Sequence, residues 1–201
     1  MDKRKLKAWE LALLGAVCLA LCTGAWAQGR QDGISRRLVR LHVVAVSDDA
    51  LEQEIKLSVR DGVLEYLSPA LKAAQGSDEA QRIISSRLPE IRAAAQRYAQ
   101  GREVRVSLEP EYFPTRRYDG FTLPAGRYDC LRVTLGSGQG HNWWCVVFPP
   151  LCIDAAARER ALDSMAQDDR ALITEAEGYE LRFRIVELWG EIMQKLASHS
   201  A

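Results

Sequence analysis

The chain has 201 residues, with 27 basic and 27 acidic side chains, 47% hydrophobic residues and five cysteines. That length suits one domain with a sizeable core. The balanced charge, with arginines interleaved among carboxylates, excludes the basic stripe expected of a nucleic-acid binder.

Lys3, Arg4, Lys5 and Lys7 precede an apolar run from Leu11 to Trp26, and Ala25-Trp26-Ala27 has the small-x-small form that signal peptidase reads. Residues 1–27 are therefore predicted to be a secretory signal peptide, cleaved between Ala27 and Gln28. An uncleaved anchor is the competing reading, but the run to Trp26 reaches only about 24 Å as a helix, against a hydrocarbon core of roughly 30 Å. Lipoprotein processing at Cys22 would need a small residue where bulky Leu21 stands. Cleavage would remove Lys3, Arg4, Lys5, Lys7, Asp2 and Glu10, leaving a mature chain with a net charge of about −2. Residues 28–37 read as a linker and 38–197 as the domain.

Val39, Leu41, Val43 and Ala45 alternate with Leu38, Arg40, His42 and Val44, the period of a strand. Ser47-Asp48-Asp49 is a helix-starting turn whose side-chain oxygens can accept from free backbone amides. Leu51, Ile55, Val59, Val63 and Tyr66 then recur at helical spacing up to Pro69. A second helical stretch from about Asp78 carries Ile84, Leu88, Ile91, Ala95 and Tyr98 on one face, with a break at Pro89 and Gly101 beyond its end.

Val104, Val106 and Leu108 begin a strand, and the proline, glycine and aromatic residues from Pro110 to Gly126 predict irregular structure. Leu131, Val133 and Leu135 alternate as another strand, joined by Gly136–His141 to an apolar strand from Trp143 to Phe148; a hairpin is the simplest geometry. Beyond Cys152 the chain is acidic and helix-prone to about Glu177, and Val186 to about Ala197 reads as a terminal helix. The fold class is α+β: a single mixed domain, with an antiparallel sheet that has a hairpin around residues 130–148, packed by two or three amphipathic helices.

Cys130, Cys145 and Cys152 would remain after cleavage. Pro149-Pro150 can turn the chain so that Cys145 and Cys152 meet in a disulfide, closing a loop that would stabilise by roughly 2.5 kcal/mol. Reduced core cysteines are the alternative, and Cys130 is a rival partner for Cys145.

Chemistry-bearing motifs are few. Gly136-Ser137-Gly138-Gln139-Gly140 has His141 where a dinucleotide fingerprint wants glycine, precedes a strand rather than a helix, and lacks the Gly-Lys pair of a P-loop. His141 and Cys145 would lie roughly 13 Å apart on an extended strand, too far for proton transfer. His42 could instead approach Cys145 across the sheet, oriented by Asp48, as in a cysteine–histidine hydrolase. Three histidines, His42, His141 and His199, are a poor inventory for a zinc site. Glu109 with Glu111, or Glu175 with Glu177, would suit acid–base work on a sugar polymer, although such pairs are ordinarily solvated surface. No metal, cofactor or catalytic residue is expected, and the chain reads as a non-enzyme.

Four stretches together resemble the stage II sporulation protein R family. They are Leu41–Asp48, Lys56–Leu67, Tyr112-Phe113-Pro114-Thr115 with Leu123–Tyr128, and Leu131-Arg132-Val133 through Cys152, the last including His141-Asn142-Trp143-Trp144-Cys145. The family turn usually carries asparagine before Ser-Asp, where Val46 stands here. The resemblance implies a secreted signal, made in the forespore and exported into the space between the two sporulation membranes. There it would activate a membrane-embedded aspartic protease that processes the precursor of sigma factor E in the mother cell. The implied partner is the extracytoplasmic face of that protease. Asn142, Trp143 and Trp144 are the expected interface anchors, with His42, Ser47 and Asp48 as further partner-binding residues; core packing is the alternative for the tryptophans. An extracytoplasmic peptidoglycan enzyme or wall-binding module is the competing function.

Overall fold

The computed structural model describes residues 7–118, 120–151, 159, 162, 163, 170, 173 and 174. Among them four helices and six strands follow in the order α1 (Ala8–Ser35), β1 (Val39–Val44), α2 (Ala50–Leu71), α3 (Ser77–Ser86), α4 (Leu88–Tyr98), β2 (Val104–Phe113), β3 (Arg116–Tyr118), β4 (Phe121–Leu123), β5 (Gly126–Leu135) and β6 (Asn142–Phe148). The terminal helix expected from Val186 to about Ala197, and the domain boundary at residue 197, lie outside the described residues.

β1 is buried at all six positions and lies inside a four-stranded sheet of order β2-β5-β1-β6, parallel to β5 and antiparallel to β6. The α+β class with a mostly antiparallel sheet matches the sequence reading, but the hairpin around residues 130–148 does not form. β5 and β6 never pair, because β1, buried at every position, lies between them and its backbone amides and carbonyls need a partner strand on both sides. The Gly136–His141 loop instead steps over the end of β1, crossing two strand spacings of about 4.8 Å each. Its amides at Gln139 and Gly140 donate to the carbonyls of Val46 and Ala45, at 3.3 and 3.0 Å. Gly138 takes φ +64°, and a Cβ on Gly140 would stand 2.2 Å from the Ser47 carbonyl oxygen. Those two demands explain the glycine-rich sequence without any phosphate.

The true hairpin is β2–β5, paired from Val104↔Leu135 to Phe113↔Gly126. Strand structure therefore runs through Pro110, which an edge strand tolerates because its missing amide can face outward. The stretch expected to be irregular also contains the small β3–β4 hairpin, paired from Arg116↔Leu123 to Tyr118↔Phe121.

On one face of the sheet Val39, Leu41, Val43, Leu131 and Val133 pack against Ile55, Val59, Val63 and Leu67 of α2, Ile84 of α3 and Ile91 of α4. Leu51 falls off this stripe and is 53% exposed. Pro89 starts α4 as expected. The other face carries a second core of Ile34, Leu38, Phe113, Phe121, Tyr128 and Val146, joined by Leu162 and Ile173. α1 continues past Ala27 to Ser35, so residues 28–35 are helix rather than linker, and Ile34 and Ser35 are buried.

α2 and α4 approach closely where α2 has no side chain: a Cβ at Gly62 would lie 2.3 Å from the Tyr98 ring. Gly62→Ala is expected to cost about 1–3 kcal/mol, with most of the loss absent in a Tyr98→Ala background. Urea unfolding of the four variants measures this coupling, and additive losses would show that the two residues do not meet.

Candidate functional site

The second face of the sheet becomes polar toward the carboxyl end of β1. The alternation that sends Leu41 and Val43 to the helices sends Arg40 and His42 the other way. His42 sits between two partners, with Nδ1 2.8 Å from Glu111 Oε1 and Nε2 2.9 Å from Asn142 Oδ1. Arg132 Nη1 donates to the same Glu111 oxygen at 3.1 Å. The Trp144 ring lies 5.5 Å from His42, and the Arg116 guanidinium stands 3.9 Å above it. Burial pushes the Glu111 carboxyl up, but the His42 hydrogen bond and charge, the Cys130 contact and the Arg132 charge outweigh it and hold the carboxyl below 4.5.

The structure divides the expected partner-binding residues into three groups. His42, Asn142 and Trp144 come together on this face. Trp143 points to the helical face, where Arg60 stacks on it at 4.8 Å. Ser47 and Asp48 belong to the turn before α2: Asp48 Oδ1 accepts from the His141 amide at 2.6 Å and pairs with His141 Nδ1. Asp48 therefore pins the glycine loop and does not orient His42. Asp49 occupies the N-cap of α2, but its carboxylate accepts from the Ser47 hydroxyl at 2.7 Å rather than from helix amides. Lys56, buried in α2, donates to the His141 carbonyl at 3.0 Å and ties the same loop from below.

Nucleophilic chemistry finds no arrangement among the described residues. Cys145 is paired with Leu41 in β6 and faces the helical side, opposite His42. Cys130 is a free buried thiol, so it is not the partner of Cys145, and burial together with Glu111 pushes its pKa up. Cys152 lies outside the described residues, and its bond to Cys145 remains an expectation. Glu109 is exposed while Glu111 turns to His42, and Glu175 and Glu177 lie outside the described residues.

His42, Glu111 and Cys130 offer ligand atoms within 4.8 Å of one another. Their chemistry is that of a closed network, since the carboxylate oxygen already receives His42 and Arg132 and the thiol is held protonated. Sequence reasoning missed Glu111 as the partner of His42, Arg132 beside it, and Arg60 on Trp143. An arginine at Arg40 and a histidine at His42 in an otherwise apolar strand were the signal that this face needed polar partners.

Residues 35–158 match the family model described as stage II sporulation protein R. The chain is also 32% identical over 180 residues to the stage II sporulation protein R of Bacillus subtilis (strain 168), covering 77% of this chain and 80% of that protein. No solved structure matches the chain.

Glu111 gives the cluster a pH signature. A carboxyl with a depressed folded-state pKa takes up its proton more readily in the unfolded chain. It therefore stabilises fully above the ordinary value of 4.5, and that stability is lost as pH falls through the folded value. Thermal unfolding across the acid range is expected to show a steeper decline below 4.5 in the wild type than in Glu111→Gln. Equal declines would show that the carboxylate is not held in this way.

Proposed function

The chain belongs to the stage II sporulation protein R family, and on that premise we propose that it is an exported sporulation signal which activates a membrane-embedded aspartic protease from its extracytoplasmic side. The activated protease processes the sigma factor E precursor in the mother cell. The observation that carries this reading is the family match over residues 35–158, preceded by an apolar N-terminal helix. Sporulation is the role that the family name supports directly; the receptor and its reaction are the proposed step.

The N-terminal helix is compatible with export. Ala8–Ala25 has a mean hydropathy of 1.7 and no buried share, as a signal sequence or a membrane span would. This window reaches about 27 Å, so length alone does not separate a cleaved leader from an anchor. We place the cut after Ala27 on the small-x-small sequence.

A signal of this kind works by binding one state of its receptor better than the other. A hundredfold preference corresponds to about 2.7 kcal/mol. It needs a rigid presenting surface rather than a reactive group, and the protonated Cys130 thiol and the closed His42–Glu111–Asn142 network fit that requirement.

The test is a non-sporulating bacterial host that makes the protease and the sigma factor precursor, with this protein supplied in exported or leaderless form. Precursor cleavage only with the exported form is the expected result. Absence of cleavage with folded protein and a cognate protease present would overturn the reading and direct attention to sedimentation with peptidoglycan.

A further inference from the structure

The helical side of the sheet is not covered as far as its β6 edge. Between the second half of α2 and β6 runs an open groove, its wider part about 540 Å³. Arg60, Asp61, Leu64, Glu65 and Pro69 of α2 form one wall, and Trp143 of β6 forms the other. Leu64 and Ser68 also line an adjoining crevice of only about 10 Å³ with Lys72, Val147 and Pro150, which continues the groove as a shallow channel toward Lys72. Two of the stretches that carry the family resemblance, Lys56–Leu67 and Leu131–Cys152, supply most of its walls.

Charge is unevenly placed along the channel. At the Trp143 end the Arg60 guanidinium is committed, stacked on the indole and paired with Asp61 at 2.7 Å. Glu65, one helical turn beyond Asp61, is exposed and makes no ion pair among the described residues. That end is thus net acidic over an aromatic floor. Lys72 stands at the other end, also exposed. Seven residues of helix separate Glu65 from Lys72, roughly 10 Å, which an extended chain covers in about three residues.

We propose that this channel is the receptor-docking surface, and that it takes an extended extracytoplasmic segment of the protease with a basic side chain toward Glu65 and an acidic one toward Lys72. The two side chains would be about two or four residues apart, on one side of the extended segment, with apolar residues against Trp143 and Leu64. This inference rests on the function proposed above and places the contact on Trp143 rather than Trp144. The latter is enclosed on the opposite face by His42, Phe113 and Arg116.

The test uses the same reconstituted host, with Glu65→Lys, Lys72→Glu and Trp143→Ala exported one at a time and thermal unfolding of each purified protein as the folding control. Glu65→Lys and Lys72→Glu alter exposed side chains, so their melting temperatures should match the wild type while precursor processing falls about tenfold or more. Should Trp143→Ala fold poorly, the two charge reversals still decide. Wild-type levels of processing by both overturn the docking surface while leaving the signalling role intact. No processing by the wild type itself overturns the signalling role instead.

Discussion

A guanidinium with no exposed surface must find acceptors for its donors inside the protein, and Arg40 finds one. Its Nη2 donates to the Tyr118 hydroxyl, while Nε and Nη1 have no hydrogen-bond partner among the described residues. Burial lowers its pKa, opposed by the neighbouring tyrosines Tyr118 and Tyr128. What compensates the charge is aromatic: Phe113 lies 4.0 Å and Tyr128 5.0 Å from the guanidinium carbon. A desolvated cation–π contact contributes about 2 kcal/mol, against a desolvation cost of several. The second core is arranged around this need. Tyr118 reaches Arg40 because the β3–β4 hairpin folds over the sheet, and the same hydroxyl donates to the Trp144 carbonyl at 3.2 Å. One buried charge thereby fixes a hairpin, an edge strand and the first residues of the domain relative to one another.

The two faces of the sheet consequently behave differently. The helical face is held by aliphatic packing and leaves its β6 border open. The aromatic face is closed by directional contacts that begin at Arg40 and pass outward through His42 and Glu111 to Arg132. Adjacent tryptophans in β6 are divided between these environments, so Trp143 and Trp144 belong to different parts of the molecule despite their chemical identity.

Much of the architecture was legible in local pattern. Val39–Val44 alternated as a strand should, Pro89 marked the start of α4, and the apolar spacing of α2 survived except at Leu51. Strand order was not legible, because insertion of β1 between β5 and β6 depends on pairings distant in sequence, and adjacent strands in a chain more often pair with each other. Pro110 misled for a related reason: its effect depends on whether the strand lies at an edge, which no local window records. In the site, period two alone would have separated Trp143 from Trp144. The contacts of His42 span 69 residues to Glu111 and 100 to Asn142, and no spacing rule connects them.

α1 has no joint in it. The helix passes without a break from the apolar segment to Ile34, which is already core. From Ala25 to Ile34 is roughly 14 Å of helix, so a domain that kept its leader would stand against the bilayer as a stiff post with little freedom to tilt. A domain that lost it would keep the buried end of the helix and leave the membrane altogether. The fate of one peptide bond therefore decides whether the molecule searches for its target across a surface or through a volume.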